Sequence, residues 1–342
     1  MLGRNDLKGL TVLVTGATGG LGRSAVEYLH EHDINVVATG RNEIIGQQLT
    51  QSGITFISQD LSLLDKTSAD HLLKNIDVIW HCAARSSDWG DYELFYQDNV
   101  IATETLAQYA LDRGIEIFVH ISTPSIYFAY QSLSLVKESY LPQQFVNAYA
   151  KTKYLAEQAL AKIREQHPQF KYVALRPRAI YGKYDQVLLP KMQQLFKEHN
   201  GRLPLPNGGQ ASIDITYVKN VCHAMCLATE KLLSNADQIN GKAYNISNGS
   251  PIKVVDLVNK VFVETLGLPC TIKPLPYWLL NFVATLSEWK ARQLKQTPKF
   301  TRYGIGVLNY DVSLDLTAAK QDLGYAPIYT IDSGIKEALK DC

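Results

Sequence analysis

The sequence has no surplus of charge of either sign: across 342 residues, 34 Lys and Arg face 33 Asp and Glu, a net of +1. A protein that holds nucleic acid by neutralising phosphates needs a basic excess, so that class of partner is not expected. Cysteine is sparse and scattered. Cys82, Cys222, Cys226, Cys270 and Cys342 are odd in number and never spaced as Cys-x2-Cys, which excludes a disulfide framework or a zinc knuckle and points to a reducing, cytoplasmic setting. His223 lies between Cys222 and Cys226 with no fourth ligand in view, so these three are assigned to packing and no metal is expected. Long apolar runs are missing too. The longest, residues 275–286, is interrupted by Asn281 and falls short of the ~18 to 20 residues of a membrane span. Residues 1–10 carry Arg4, Asp6 and Lys8 and lack a signal-peptide core, so no export is expected. No repeat or low-complexity tract is evident, and 46% hydrophobic against 20% charged residues excludes intrinsic disorder.

What is present is alternation. Short β-branched runs at 10–15, 34–39, 54–58, 77–82, 115–121 and 170–175 are separated by helical patterns near 20–32, 42–51, 91–113 and 145–166. Strands alternating with helices build βαβ units and a parallel sheet. After residue 177 the rhythm breaks at the Pro- and Gly-rich stretch 201–209, and short strands near 213–217 and 243–246 alternate with helices near 218–231, 253–265 and 332–340. The division expected is 1–177 for a nucleotide-binding domain and 178–342 for a smaller, interleaved substrate-binding region.

Directly after the first strand, Thr15-Gly16-Ala17-Thr18-Gly19-Gly20-Leu21-Gly22 opens a helical pattern. Glycine at 16 and 19 suits a tight turn and close approach of backbone N–H groups to a pyrophosphate, and Gly22 lets helix and strand pack closely. The fold class predicted is therefore α/β, a Rossmann doubly wound parallel sheet with a smaller C-terminal α/β region. The Gly-x2-Gly-x2-Gly spacing with its leading Thr15 resembles the extended short-chain dehydrogenase/reductase superfamily.

That resemblance implies a nicotinamide cofactor. The acidic residue that NAD enzymes place after the second strand is replaced by Gly40, followed by Arg41. A carboxylate would repel a 2′-phosphate, whereas Arg41 would pair with it, with Arg23 as a second cation, so NADP is preferred over NAD. By resemblance, Asp60 and Leu61 contact the adenine, the turn after His81-Cys82 places Ala83 and Ala84 against the cofactor, Pro177 after the sixth strand also contacts the cofactor, and Asn99 supports the active-site strand.

Tyr149 and Lys153 are four residues apart, hence on one face of the helix expected over 145–166. A neighbouring ammonium is expected to lower the tyrosine pKa from about 10 and let it exchange a proton near neutral pH. The resemblance adds a hydroxyl from Ser122-Thr123-Pro124-Ser125: alignment of Ile126-Tyr127 selects Thr123, with Ser125 as fallback and Ser122 weaker. The reaction implied is hydride transfer with Thr123 orienting the reacting oxygen, Tyr149 moving the proton and Lys153 tuning Tyr149, and Tyr149 and Lys153 also contact the cofactor, Lys153 at the nicotinamide ribose.

Pro124 and Ser125 stand where sugar-nucleotide dehydratases have Asp-Glu, and Ile213 stands where epimerases have a diphosphate-binding arginine. Residues 212–220 and 122–126 instead resemble the 3β-hydroxysteroid dehydrogenase branch, in particular sterol-4-carboxylate dehydrogenases and bacterial 2-alkyl-3-oxoalkanoate reductases. This implies a small hydrophobic ketone or alcohol as substrate, a β-keto acid or steroid-like molecule, with Arg178 or Lys183 as a cation for its carboxylate. NAD-dependent oxidation, sugar-nucleotide epimerisation and a nonenzymatic dinucleotide sensor remain the alternatives. The apolar stretch 275–289 is open between a lid, a buried or dimer-facing helix and a membrane-surface contact. A homodimer through the helices near 91–113 and 145–166 is implied by resemblance.

Overall fold

The computed structural model describes residues 7–340; Arg4, Asp6 and Cys342, used above, lie outside the described residues. Five strands, β1 (Thr11–Thr15), β2 (Asn35–Gly40), β3 (Thr55–Ser58), β4 (Val78–His81) and β5 (Ile117–Ile121), join β7 (Lys171–Pro177) and the strand Ala243–Ile246 in one parallel sheet. The order across that seven-stranded sheet is Ala243–Ile246, β7, β5, β4, β1, β2, β3. Its central strands are buried along their whole length, as sheets covered on both faces are. Val12, Val14, Trp80 and Val119 point into one core and Leu13, Ile79 and Phe118 into the other.

Helices α1 (Gly20–His30), α2 (Glu43–Gln51), α3 (Lys66–Leu72), α4 (Tyr92–Tyr96), α5 (Ala102–Leu111) and α6 (Ala148–Gln166) supply the crossovers. α3 was not anticipated; Asp65 and Ser68 start it with a reciprocal capping box. The continuous helix expected over 91–113 is broken by a π-helical segment, Gln97–Ile101, between α4 and α5. That insertion carries Asp98 and Asn99, and such segments re-aim side chains.

The second region is interleaved with the first. Strand Ala243–Ile246 completes the large sheet, and helix Val218–Ser234 packs on it through Val221, Cys222 and Met225. Conversely β6 (Leu133–Val136), from the first half, belongs to a four-stranded sheet with Ser212–Ile213, Ile252–Lys253 and Val312–Leu314. The single strand expected over 213–217 is two, Ser212–Ile213 and Thr216–Tyr217, in different sheets. Cys222 and Cys226 are buried on the same helix, and among the described residues no group of His, Cys, Asp and Glu could hold a metal. Among them also, no helix is long and apolar enough to cross a membrane.

The stretch 275–289 is helix Tyr277–Leu294. The buried-core alternative is corrected: Trp278, Phe282, Leu286 and Trp289 are exposed, and only Ala284, Glu288 and Ala291 are buried.

Candidate active site

The glycine turn is dictated by contact. Gly16 has φ +64, a left-handed conformation that only glycine adopts without strain, and a Cβ there would lie 2.8 Å from the backbone of Ala83. Thr15 Oγ1 accepts from the Ala83 N–H at 3.1 Å, so Ala83 and Ala84 are held beside the turn. A Cβ on Gly22 would lie 2.2 Å from the carbonyl oxygen of Gly16. Gly19, at the N-cap of α1, supplies no capping side chain, which leaves the first N–H groups of the helix for an external acceptor. Gly20 answers to a different neighbour: its Cβ would meet the Tyr184 carbonyl at 2.7 Å. Leu21 packs against both the sheet core and the second region's core. A small cavity of about 200 Å³ opens here, lined by Thr18, Gly19, Arg23 and Tyr184. Bare backbone, an uncapped helix end and an adjacent cation fit the pyrophosphate of a dinucleotide. Gly22→Ala should therefore weaken dinucleotide binding by about 100-fold, because the turn must open to admit a methyl group. Calorimetric titration with NADPH checks this, and undiminished affinity would remove the turn from the cofactor site.

Gly40 has its own steric reason. A Cβ there would sit 2.6 Å from Thr18 Oγ1, so any side chain at this position would require the Thr18 side chain to shift. Arg41 is 60% exposed and lies 3.6 Å from Asp60 and 3.8 Å from Asp98. Asp60 also accepts from Ser62, through its N–H at 3.0 Å and its hydroxyl at 2.7 Å. Burial raises the Asp60 pKa, but these bonds and Arg41 outweigh it and hold the carboxyl below its usual range. Leu61 is buried in the core under the sheet. Arg23 stacks on the Tyr184 ring at 4.1 Å and pairs with Glu27 at 3.8 Å. Lys183 does not reach the substrate side: it pairs with Glu27 at 3.2 Å, more than half exposed, which removes it as the cation for a substrate carboxylate.

The proposed catalytic hydroxyls follow β5. Thr123 caps a 3-10 turn, Pro124–Tyr127, accepting from the Ser125 N–H at 3.1 Å and donating to Ser125 Oγ at 3.0 Å. Ser122 Oγ is buried without a partner. Asn147 caps α6 through the Ala150 N–H at 2.8 Å, and one turn of that helix separates Tyr149 from Lys153. Thr123 is close enough to Tyr149 for its hydroxyl to pull on the phenol's pKa. Asn99 accepts from the Arg85 N–H at 2.7 Å and donates to Thr152 Oγ1 at 3.0 Å, tying the π-helical segment to α6.

The expected lowering of the Tyr149 pKa is corrected. Burial pushes the phenol up to about 12 against the pull of the Thr123 hydroxyl, with Tyr303 adding to the rise. Lys153 does not offset this; its Nζ lies 3.1 Å from His120 Nε2. Burial brings Lys153 down to about 8, partly opposed by Glu157 and Cys82. Burial shifts both groups toward their neutral forms, which leaves the phenol protonated and Lys153 still mostly charged at neutral pH.

Sequence reasoning missed Tyr303. Thr301 N-caps the short helix Arg302–Gly306 and donates to Asp88 at 2.6 Å, while Arg302 Nε donates to Glu288 at 2.9 Å. These contacts bring Tyr303 Oη within 2.7 Å of Ser125 Oγ. No spacing in the sequence marks this, since 178 residues separate the pair. Tyr303, Asn147 and Ala148 line a cavity of about 790 Å³ whose far wall is helix Tyr277–Leu294, through Glu288, Ala291, Arg292 and Lys295. Pro177 ends β7 and is buried behind the site.

Residues 12–247 match the NAD dependent epimerase/dehydratase family. The chain is 38% identical over 328 residues to the uncharacterized protein YbjS of Escherichia coli strain K12, covering 96% of each. It is 31% identical over 332 residues to the 2-alkyl-3-oxoalkanoate reductase of Stenotrophomonas maltophilia, covering 96% of this chain and 98% of that one. Among solved structures, the UDP-glucuronic acid 4-epimerase of Bacillus cereus in complex with NAD superposes with a TM-score of 0.73 over 97% of this chain at 21% identity, a likeness of fold.

Proposed function

Because the chain belongs to the NAD-dependent epimerase/dehydratase family of extended short-chain dehydrogenases/reductases, we propose that it is a cytoplasmic, NADP-preferring ketoreductase of small hydrophobic 3-oxo compounds. The observation that carries this is the placement of Tyr149 near Thr123 and directly after Asn147 and Ala148 of the cavity wall, with Lys153 one turn further along α6. A bound nicotinamide supplies the hydride. Thr123 orients the carbonyl oxygen by donating to it, and Tyr149 delivers a proton to that oxygen as it gains charge, so that ketone, hydride and proton become the alcohol. A phenol held at about 12 keeps its proton at neutral pH, which suits a donor in the reducing direction. Lys153, with its pKa near 8, stays mostly charged at neutral pH and can turn from His120 toward a ribose hydroxyl. Gly16, Gly19 and Gly22 would hold the pyrophosphate, and Arg41 the 2′-phosphate. The homodimer through α5 and α6 belongs to the same proposal.

Epimerisation of a sugar nucleotide is the second reading. Arg292 and Lys295 at the cavity wall favour it as cations for a diphosphate. Against it, Ile213 and Asp214 are both buried, and Asp214 is spent on the Leu314 N–H at 2.7 Å and Ser247 Oγ at 2.9 Å. Oxidation of NADPH, with NADH alongside, against 2-alkyl-3-oxo fatty acids, 3-ketosteroids and a nucleotide sugar decides the matter. Cofactor loss with the keto acids or ketosteroids is expected. Interconversion of the nucleotide sugar without net cofactor change would overturn it.

Arg41→Ala should weaken NADP binding by about tenfold or more and NAD binding by far less, since a charge-assisted contact is lost only with the phosphate. Equal losses in parallel titrations would refute the 2′-phosphate contact.

A further inference from the structure

Two arginines two residues apart at the end of β7 are equally buried and oppositely bonded. Arg176, 4% exposed, is hydrogen-bonded through its whole guanidinium to Glu157, Tyr127 and the Glu138 carbonyl. Arg178, 7% exposed, has a buried Nε with no partner, and among the described residues no carboxylate pairs with it. Asp214 acts on it electrostatically without forming an ion pair, its oxygens accepting from the Leu314 N–H and Ser247 Oγ.

The backbone around Arg178 is held independently of that side chain. Its N–H donates to the Ile246 carbonyl at 3.2 Å, and its own carbonyl accepts from Thr216 Oγ1 at 2.6 Å. Ala179, next in the chain, has φ +43, an uncommon conformation for a residue other than glycine. A guanidinium cannot escape its charge by deprotonating, so one buried without a counter-charge destabilises the fold unless an anion arrives. Burial does pull the Arg178 pKa down, with Tyr303 and Asp214 opposing. The sheet places the group: β5 and β7 are paired and the Ser122 N–H donates to the Leu175 carbonyl at 2.7 Å, so Arg178, just past β7, follows beside the turn that carries Thr123, and Tyr303 on the cavity wall bonds Ser125 in that turn.

We infer that Arg178 is an anion subsite of the active-site cavity and takes the carboxylate of a substrate whose ketone faces Thr123 and Tyr149. The position of the ketone rests on the ketoreductase reading; the anion subsite itself does not. One guanidinium neutralises one negative charge, and its planar fork matches a carboxylate through two parallel hydrogen bonds. A phosphate dianion would leave a second charge buried.

The test is binding without turnover, on the full chain saturated with NADP, using octanoate, methyl octanoate and inorganic phosphate as probes. Wild type should bind octanoate about 100-fold more tightly than the ester, and Arg178→Met should erase the difference. Without ligand, Arg178→Met should raise Tm by roughly 2 to 4 °C, because a cost is removed; a structural arginine would lower it. Equal binding of acid and ester by wild type, a preference that survives in Arg178→Met, a lower Tm for that variant, or tighter binding of phosphate than of octanoate would each overturn the inference. Loss of acid preference in Arg178→Met by a protein that reduces none of the ketones would keep the subsite and refute the ketoreductase reading.

Discussion

Tyr149→Phe should lower kcat by about 10³-fold or more while leaving the Kd for NADPH within about threefold of wild type. The phenol is the acidic group next to Thr123, and phenylalanine keeps its ring while removing only the proton and the oxygen. Cofactor contacts are assigned elsewhere, to the glycine turn, Arg41 and Lys153, so binding should survive. Thr123 is itself fixed by Ser125, and Ser125 by Tyr303, so the loss should not spread through the turn. Single-turnover reduction separates this from slow product release. Activity within tenfold of wild type would show that another group, with Tyr303 the first candidate, delivers the proton.

The largest stability effect is expected at Arg176→Ala. Burial opposes the charge of this arginine, but the bidentate contact with Glu157 outweighs it and holds the guanidinium charged. The same group donates to Tyr127 Oη at 2.6 Å and to the Glu138 carbonyl at 2.9 Å. Tyr127 in turn donates to Asn245, whose amide bonds the Val136 and Asp315 carbonyls. One side chain thus joins β7, α6, the turn that carries Thr123, and both sheets. Alanine leaves Glu157 buried and unpaired, and breaking one side of a buried pair costs about 3 to 5 kcal/mol. Tm should fall by roughly 10 °C. The doubly apolar Glu157→Leu/Arg176→Met variant should recover much of it, because no charge is then stranded. A Tm shift below 2 °C in Arg176→Ala would mean that water reaches Glu157 and that the cluster is not the keystone described.

Legibility in the sequence followed the range of the forces involved. The strands of the large sheet were readable because β-branched runs such as residues 117–121 announce themselves locally, and α1 because a glycine turn must precede it. Lys183 misled, since its pairing with Glu27 spans 156 residues. The π-helical break at Gln97–Ile101 was invisible because its residues have ordinary helical propensity, and only the bonds of Asn99 to Arg85 and Thr152 reveal what the extra residue achieves.

By itself the sequence determined the parallel α/β fold, the glycine turn and the Tyr149–Lys153 spacing, because each depends on residues within a few positions of one another. Only the tertiary structure decided the charge states and the rest of the site. The Tyr149 phenol is raised, not lowered, because chain folding buries it, and Lys153 Nζ meets His120. Tyr303 reaches Ser125, and the buried Nε of Arg178 meets no partner among the described residues, because burial and distant contacts set what a polar group meets, and neither is written in local spacing.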